Sequence, residues 1–316
     1  MDLNELETLC FRLPAKIGEA LHNLSRQERQ ELEEIRIYAQ ANAELVFAEA
    51  AREIPVRVSM DELLAALSGH ALYRCEREMA MGYIPLPGGH RAGICGRMVH
   101  QSDGTWQMAH VSSVCIRIGR HVQGASKLIH RCLMDAQGNA QRVLVLGAPG
   151  SGKTTVLRDA ALWLSQNGMH VAVADEREEL FGCESYRAEK RLDVLGGMDK
   201  AHALPMLIRS MAPQMVITDE IGRDEDTRVV LDALRCGVGL LASAHARSME
   251  EAAKRPVIQA LIAQHAFDWY VLLGRRGHVL CVYRDMGKEW EEIDLDQLGY
   301  GRHDDACSQR SRICDF

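Results

Sequence analysis

The chain has 316 residues, a length that allows about two domains of ordinary size. Its 47% of hydrophobic and 26% of charged residues are typical of a folded globular protein and exclude a disordered chain. The net charge of −7 argues against a general nucleic-acid-coating protein, and the ten cysteines form no Cys-x-x-Cys pair, which argues against a zinc or disulfide scaffold.

The N-terminal segment lacks the basic and apolar regions of a signal peptide, and no apolar run is long enough to span a bilayer. Scattered cysteines without a disulfide pattern are typical of free thiols in a reducing compartment. We therefore expect a cytoplasmic protein without direct membrane insertion, which reaches a membrane only through a partner.

The N-terminal part is expected to be a smaller α+β domain, residues 1–136. Its patterns predict helices over residues 32–37 and 60–67. Two extended runs on either side of Pro87-Gly88-Gly89 predict a β-hairpin. The predicted strands of this part are residues 83–86, 91–95 and 114–118.

A polar stretch, DAQGNAQ at residues 135–141, is interpreted as a linker. After it, short apolar strands alternate with amphipathic helices, a pattern that predicts an α/β domain with a mostly parallel sheet and helices on both faces. This domain is expected to cover residues 137–290, and a polar C-terminal tail residues 291–316. The predicted strands are 143–146, 171–174, 215–218, 239–243, 269–273 and 279–283, and the predicted helices are 153–165, 203–211 and 225–235.

Residues 147–154 match the phosphate-binding pattern G-x-x-x-x-G-K-[ST] between a buried strand and a helix. Glycines let backbone N–H groups surround phosphate oxygens, and the new helix adds its positive end. Lys153 would contact the β- and γ-phosphates, and the Thr154 hydroxyl would bind Mg²⁺. The predicted nucleotide-binding residues are Gly147, Ala148, Pro149, Gly150, Ser151, Gly152, Lys153, Thr154 and Thr155, and the predicted ligand is ATP with Mg²⁺.

The apolar strand 215–218 ends in Asp219-Glu220, which places two carboxylates at the carboxyl edge of the sheet, where ligands bind in open α/β folds. Asp219 can hold Mg²⁺, and Glu220 can act as general base on the attacking water. A kinase would not need the second carboxylate there, so the pair favours hydrolysis over phosphoryl transfer to a metabolite.

Two further features are predicted at the same edge. Asp175 and Glu176 open an acidic cluster after the strand 171–174, where they could position water, support Mg²⁺ or simply be solvated. His245 follows the strand 239–243 and could contact the γ-phosphate, with Ser243 a weaker candidate. We count Asp175, Glu176 and His245 among the candidate catalytic residues, with Glu220 and Lys153.

Residues 82–131 contain six basic side chains and one acidic side chain, in a chain that is acidic as a whole. An arginine here could enter the site of a neighbouring subunit, or the segment could bind nucleic-acid phosphates. The candidates for action in trans are Arg91, Arg97, Arg117 and Arg120.

These residues carry a family resemblance. Residues 209–245 resemble the hexameric ATPases of bacterial secretion and pilus systems, although Asp219 makes a more conventional Walker B residue than theirs. The motifs GYIPLPGGHRAGICG, SSVCIRIGR, LGAPGSGKTT and DEREEL are similar to those of the stage III sporulation protein AA family. The resemblance implies a RecA-like P-loop ATPase core and carries Lys153, Thr154, Asp219, Glu220 and His245 over as site residues.

The same resemblance implies a mother-cell ATPase that forms homo-oligomers, expected to be hexamers. It would power a secretion-like channel complex between mother cell and forespore and dock on a small membrane-anchored partner. Two other functions stay open: a nucleic-acid motor, which the short C-terminal tail without basic and aromatic arrays disfavours, and a nucleotide-dependent scaffold with little turnover.

Overall fold

Two sheets organise the chain, one on each side of the stretch 135–141. The computed structural model describes residues 8–102, 104–119, 122–181, 189–287 and 290–295. Of the polar tail predicted for residues 291–316, residues 291–293 belong to a strand that pairs with residues 282–284, and residues 296–316 lie outside the described residues. The stretch 135–141 forms a tight turn, in which the Asp135 carboxylate accepts hydrogen bonds from the backbone N–H groups of Gln137 and Asn139.

The N-terminal sheet has six strands in the order β3-β2-β1-β6-β5-β4, and every neighbouring pair is antiparallel. The predicted hairpin is confirmed, because β4 and β5 pair across the turn at Pro87. The strand predicted at 114–118 forms the last part of β6. The strands are β1 (Leu32–Tyr38), β2 (Ala43–Phe47), β3 (Ala51–Ile54), β4 (Tyr83–Leu86), β5 (His90–His100) and β6 (Trp106–Arg117).

The helix predicted over residues 32–37 is wrong, because this segment is strand β1. Its buried side chains are Leu32, Ile35 and Ile37. A β-bulge between Leu32 and Glu34 inserts one extra residue into the strand, so the first apolar spacing is three instead of two. A spacing of three imitates one turn of an amphipathic helix, which explains the error.

Short helices close the N-terminal core. Helix α3 matches the predicted helix and buries Leu63, Leu64 and Leu67 against the sheet. A capping box starts α2, in which the Ser25 hydroxyl accepts from the Glu28 N–H and the Glu28 carboxylate accepts from the Ser25 N–H. The helices of this part are α1 (Ala15–His22), α2 (Arg26–Glu31), α3 (Met60–Leu67) and α4 (Glu76–Ala80), followed after β6 by α5 (His130–Leu133).

The C-terminal sheet has eight strands in the order β14-β13-β12-β7-β11-β10-β8-β9. The six strands from β12 to β9 run parallel, and β13 and β14 add an antiparallel edge. All six predicted strands are confirmed, while β9 and β14 were not predicted. The strands are β7 (Arg142–Gly147), β8 (Val171–Asp175), β9 (Leu192–Gly196), β10 (Met215–Glu220), β11 (Gly239–His245), β12 (Trp269–Leu273), β13 (Val279–Asp285) and β14 (Trp290–Ile293).

Helices cover both faces of this sheet, as the sequence predicts. Along β7, Val143 and Val145 face the core under α6, whereas Leu144 and Leu146 face the core under α7, α8 and α10. The alternation follows from the two-residue period of a strand, and it explains why a strand buried on both faces is apolar throughout. The helices are α6 (Lys153–Gln166), α7 (Lys200–Met211), α8 (Asp224–Arg235), α9 (Met249–Ala253) and α10 (Pro256–Ala263).

Helix α6 carries two adjacent buried polar residues, of which Asp159 joins the two halves of the chain and Arg158 holds the loop after β8. The Asp159 carboxylate accepts hydrogen bonds from the N–H groups of Gly124 and Ser126 and from the Ser126 hydroxyl, at 2.6–2.9 Å. Arg158 donates to the backbone oxygens of Glu179 and Leu180.

None of the helices in the described residues is both long enough and apolar enough to cross a membrane.

Candidate functional site

The topology of the C-terminal sheet brings three sequence motifs to one edge. Strand β11 lies between β7 and β10, and the parallel register pairs His245 with Gly147 and Ser243 with Glu220. The carboxyl ends of parallel strands meet at the same edge of a sheet, where ligands bind in open α/β folds. His245 therefore lies between the loop that follows β7 and the carboxylates that end β10.

The loop after β7 has the backbone shape that its glycines predict. Gly150 and Gly152 adopt φ angles of 74° and 96°, in the left-handed region that side-chain-bearing residues rarely occupy. Gly152 immediately precedes α6, whose first residue is Lys153. The loop thus ends at the N-terminus of a 14-residue helix, where backbone N–H groups and the helix dipole favour an anion.

Lys153 is buried, with its ammonium group held by oxygen and nitrogen acceptors of the loop and of β11. Nζ lies 3.0 Å from the Gly147 carbonyl, 3.1 Å from the Ala148 carbonyl and 2.9 Å from His245 Nδ1. Burial lowers the pKa of the Lys153 ammonium from its usual value. A bound anion would compete with these neutral acceptors and favour the charged ammonium.

His245 connects Lys153 to Glu220. The Lys153 ammonium can only donate, so His245 Nδ1 must accept, and the neutral ring then carries its proton on Nε2. Nε2 lies 3.2 Å from Glu220 Oε1, within reach of that carboxylate. One imidazole ring therefore contacts both the Lys153 ammonium and the Glu220 carboxylate. A movement of either group changes the hydrogen bonding of the ring and so the surroundings of the other group.

Asp219 lies deeper at the end of β10, with Oδ1 3.5 Å from the Ser243 hydroxyl. Burial, followed by the neighbouring carboxylates of Glu179 and Asp175, raises the pKa of Asp219 to about 6. Because this environment disfavours the ionised carboxylate, a bound cation would stabilise the negative charge of Asp219 strongly. The partly buried Thr154 begins α6 together with Lys153, so the two predicted oxygen ligands of Mg²⁺ come from the loop and from β10.

Asp175 ends β8 and is fully buried. Its carboxylate accepts backbone hydrogen bonds from Glu179 at 2.9 Å, Leu180 at 3.1 Å and Phe181 at 2.8 Å. These contacts fix the acidic loop that follows β8. The predicted catalytic role of Asp175 stays a prediction, and the geometry gives this side chain a structural task as well.

Glu176 belongs to a second charged cluster at the same edge. Its carboxylate lies 3.5 Å from Lys200 Nζ and 3.1 Å from Arg223 Nη1. The Lys200 ammonium also donates to the backbone oxygen of Glu220 and lies 3.9 Å from Asp226 Oδ2. The cluster surrounds a cavity of about 270 Å³, lined by Glu176, Arg177, Lys200, Asp219, Glu220, Gly222, Arg223 and Arg255.

Sequence reasoning did not single out the basic residues Arg177, Lys200, Arg223 and Arg255 of this cavity. Lys200 precedes Glu220 by twenty positions in the sequence, and only the packing of α7 beside β10 and β8 brings the two together. Arg223 carries a local signal, since it follows Glu220 by three residues, but its partner Glu176 comes from another strand end.

The predicted arginines occupy different positions. Arg91 pairs within its own chain with Glu179 of the acidic loop, with Nη1 2.5 Å from Oε1, and its guanidinium lies 3.8 Å above the Tyr83 ring. Arg97 is exposed on β5. Arg117 is largely exposed and lies 3.7 Å from Glu34. Arg120 lies outside the described residues. No neighbouring subunit is present in the structure, so action in trans stays a prediction.

The donor set fits a nucleotide with Mg²⁺. The loop offers an ammonium and the N-terminus of a helix, which suit phosphate oxygens. The Thr154 hydroxyl and the Asp219 carboxylate offer the oxygen ligands that Mg²⁺ prefers. Glu220 remains available for a proton, because its side chain contacts the histidine rather than a buried cation.

Comparison with known proteins then identifies the family. The model of the family described as "Sporulation stage III, protein AA" matches residues 11–290. The chain belongs to the stage III sporulation protein AA family. It is 36% identical over 280 residues to stage III sporulation protein AA of Bacillus subtilis (strain 168), an alignment that covers 83% of this chain and 89% of that protein. The resemblance that the motifs predicted is confirmed.

Solved structures show the same fold. The ATPase DotB of Legionella pneumophila matches with a TM-score of 0.53 at 14% identity, covering 82% of this chain and 76% of that chain. The pilus retraction motor PilT, solved with bound ADP, matches with a TM-score of 0.56 at 15% identity, covering 89% and 82%. At such low identity the likeness concerns the fold alone, and it confirms the predicted RecA-like P-loop core.

Proposed function

We propose that this member of the stage III sporulation protein AA family is a Mg²⁺-dependent ATPase. The observation that carries the proposal is the chain of contacts from Lys153 through His245 to Glu220. It links a phosphate-binding cation to a carboxylate that can accept a proton, and a protein that only binds nucleotide needs no such link. The folds of an ATPase and of a pilus motor support the same conclusion.

The residues divide the chemistry of hydrolysis among them. The loop from Gly147 to Thr155 holds the phosphates, and Lys153 stabilises charge on the β- and γ-phosphates. Thr154 and Asp219 would hold Mg²⁺, which would neutralise charge on the phosphate oxygens when bound. Glu220 accepts a proton from the attacking water as the bond to the γ-phosphate forms, and the bond to the leaving ADP oxygen breaks.

His245 reports the state of the phosphates to Glu220. With Lys153 drawn towards phosphate oxygens, His245 Nδ1 loses its donor, and a change of tautomer would let it donate to the Gly147 carbonyl 3.3 Å away. The contact from Nε2 to Glu220 then changes with it. In this way the surroundings of the Glu220 carboxylate respond to bound nucleotide.

Membership of the family supports a proposal for the cellular role. We propose a cytoplasmic homo-oligomer, expected to be a hexamer, that powers or assembles a channel complex between mother cell and forespore. It would lie at the membrane through a small membrane-anchored partner. Of the predicted arginines, Arg97 and Arg117 are exposed on strands and are therefore suited to meet a neighbouring subunit.

Phosphate release by the purified full chain tests the activity. Glu220→Gln is expected to lower kcat by about 10²- to 10⁴-fold, because the base is lost. Binding of a fluorescent ATP analogue should persist, because Glu220 is not part of the phosphate-binding loop. Glu225→Gln, an exposed residue in the first turn of α8, is the matched control and should leave both quantities unchanged.

Undiminished turnover in Glu220→Gln would contradict the assignment of the base. Absence of turnover in the wild-type oligomer, with nucleotide binding intact, would instead support a nucleotide-dependent scaffold. Stimulation of turnover by single-stranded nucleic acid that fades with salt would support a nucleic-acid motor.

A further inference from the structure

Lys200 is a buried lysine in the lining of the cavity beside Glu220. It is the first residue of α7 and is 8% exposed. Its ammonium donates to the backbone oxygen of Glu220 and lies 3.5 Å from Glu176 Oε2 and 3.9 Å from Asp226 Oδ2. A lysine is rarely buried unless it is paired, so three acceptors around one ammonium indicate a specific task.

The segment that follows β10 is held from two sides. Asp226 Oδ2 accepts hydrogen bonds from the N–H groups of Gly222 at 2.8 Å and Arg223 at 2.9 Å. The N–H of the buried Ile221 donates to the Ser243 oxygen at 2.7 Å. The peptide plane between Glu220 and Ile221 is therefore fixed at its N–H by β11 and at its oxygen by Lys200.

The side chain of Glu220 starts from this fixed backbone. Its Oε1 lies 3.2 Å from His245 Nε2, whereas its backbone oxygen faces Lys200 on another side. Rotation of the peptide would move the carboxylate away from the histidine. Lys200 also holds Glu176, whose other oxygen is 3.1 Å from Arg223, so the same ammonium orders a guanidinium at the cavity.

We propose that Lys200 is a positioning residue for Glu220. It fixes the backbone of the base through the Glu220 oxygen, and through Glu176 it orders Arg223 over the cavity. The proposal rests on the proposed ATPase function, because positioning of a base is visible in turnover. Lys200 belongs to neither the phosphate-binding loop nor the metal ligands, so its loss should affect kcat more than nucleotide binding.

The test compares Lys200→Met with the wild type and with Lys254→Met, a matched change of an exposed lysine. Lys200→Met is expected to lower kcat by about 10- to 100-fold, the usual loss when a group that orients a reacting residue is removed. The Kd for a fluorescent ATP analogue is expected to stay within about threefold, because the phosphate contacts are unchanged. Lys200→Arg, which keeps charge and donors, should recover part of kcat.

A merely structural role predicts a different outcome. If Lys200 were merely structural, Lys200→Met would lower kcat and weaken nucleotide binding together, and this result would overturn the proposal. A kcat of Lys200→Met equal to that of Lys254→Met would overturn it as well. Should Lys200→Met fail to fold, Lys200→Gln takes its place. This change removes the charge and shortens the side chain that reaches the Glu220 oxygen, so it is expected to lower kcat with Kd unchanged, and an unchanged kcat would overturn the proposal.

Hydrogen exchange separates this proposal from the ATPase assignment. In the nucleotide-free protein, Lys200→Met should speed exchange of the Gly222 and Arg223 amides, whereas Lys254→Met should not. Unchanged exchange would overturn the positioning role even in an active enzyme. A wild type without turnover would contradict the ATPase, while faster exchange in the variant would still support the backbone contact.

Discussion

The two sheets bury polar groups in different ways. Among the described residues, every buried lysine, arginine and aspartate lies in the C-terminal half: Lys153, Arg158, Asp159, Asp175, Lys200 and Asp226. The N-terminal sheet keeps its arginines at the surface, or about one-third exposed as at Arg91, and its core is apolar apart from His90 and Ser68.

Buried charge is costly, and a fold retains it where the charges do something that apolar side chains cannot. In the C-terminal half these charges lie at the carboxyl edge of the sheet or on α6, which begins at the phosphate-binding loop. The difference indicates that the C-terminal sheet carries the chemistry. The N-terminal sheet presents surfaces and supports the acidic loop through Arg91.

The largest expected effect tests this division at Lys153. Lys153→Ala should weaken nucleotide binding by about 2–5 kcal/mol, the usual cost of removing one partner of a buried charged contact. It should not destabilise the nucleotide-free protein to a similar extent, because burial already disfavours the Lys153 ammonium there. Titration with a fluorescent ATP analogue and urea unfolding without nucleotide measure the two effects.

Equal losses in the free energies of nucleotide binding and of unfolding without nucleotide would contradict the contrast between the two sheets. Lys153 would then be a structural residue like those of the N-terminal core. Lys190, an exposed lysine of the same domain, provides the control through Lys190→Ala.

The sequence predicted local motifs well and contacts between distant segments poorly. The phosphate-binding loop and Asp219-Glu220 are local motifs at the ends of apolar strands, so their residues and their shared edge were predictable. The partners of Glu176 and Glu220 were not, because Lys200 reaches them only through the order of strands in the sheet. In the N-terminal sheet, a single bulge at β1 was enough to turn a strand pattern into a helical one.

The next effect concerns stability and lies in the N-terminal sheet. His90 is 1% exposed, and its Nδ1 accepts a hydrogen bond from the Gly119 N–H at 2.9 Å. Burial, followed by the Arg158 charge, lowers the pKa of His90 from 6.5 to about 4. Between these values the unfolded chain binds more protons than the folded protein, so the free energy of unfolding falls as the pH falls.

This group alone should remove about 3 kcal/mol of stability between pH 6.5 and 4. In His90→Asn the amide oxygen can still accept from Gly119, but it does not titrate. Urea unfolding across this pH range should therefore show a smaller loss of stability in the variant, with kcat at neutral pH unchanged. Identical pH slopes for wild type and variant would contradict this prediction, since they would mean that the pKa of His90 is the same in the folded and unfolded states.

The smallest effect is expected where the two regions meet. The ion pair of Arg91 and Glu179 joins β5 to the acidic loop, with both side chains about one-third exposed, so solvent screens it. A double-mutant cycle with Arg91→Met and Glu179→Gln should give a coupling free energy of about 0.5–1 kcal/mol that shrinks in high salt.

The pair of Arg117 and Glu34, at 3.7 Å with Arg117 largely exposed, is the control and should have a smaller coupling free energy. A coupling at Arg91 no larger than that control would mean that the N-terminal sheet does not support the acidic loop through this contact, and the two halves of the chain would then be linked through Asp159 of α6, which accepts from Gly124 and Ser126.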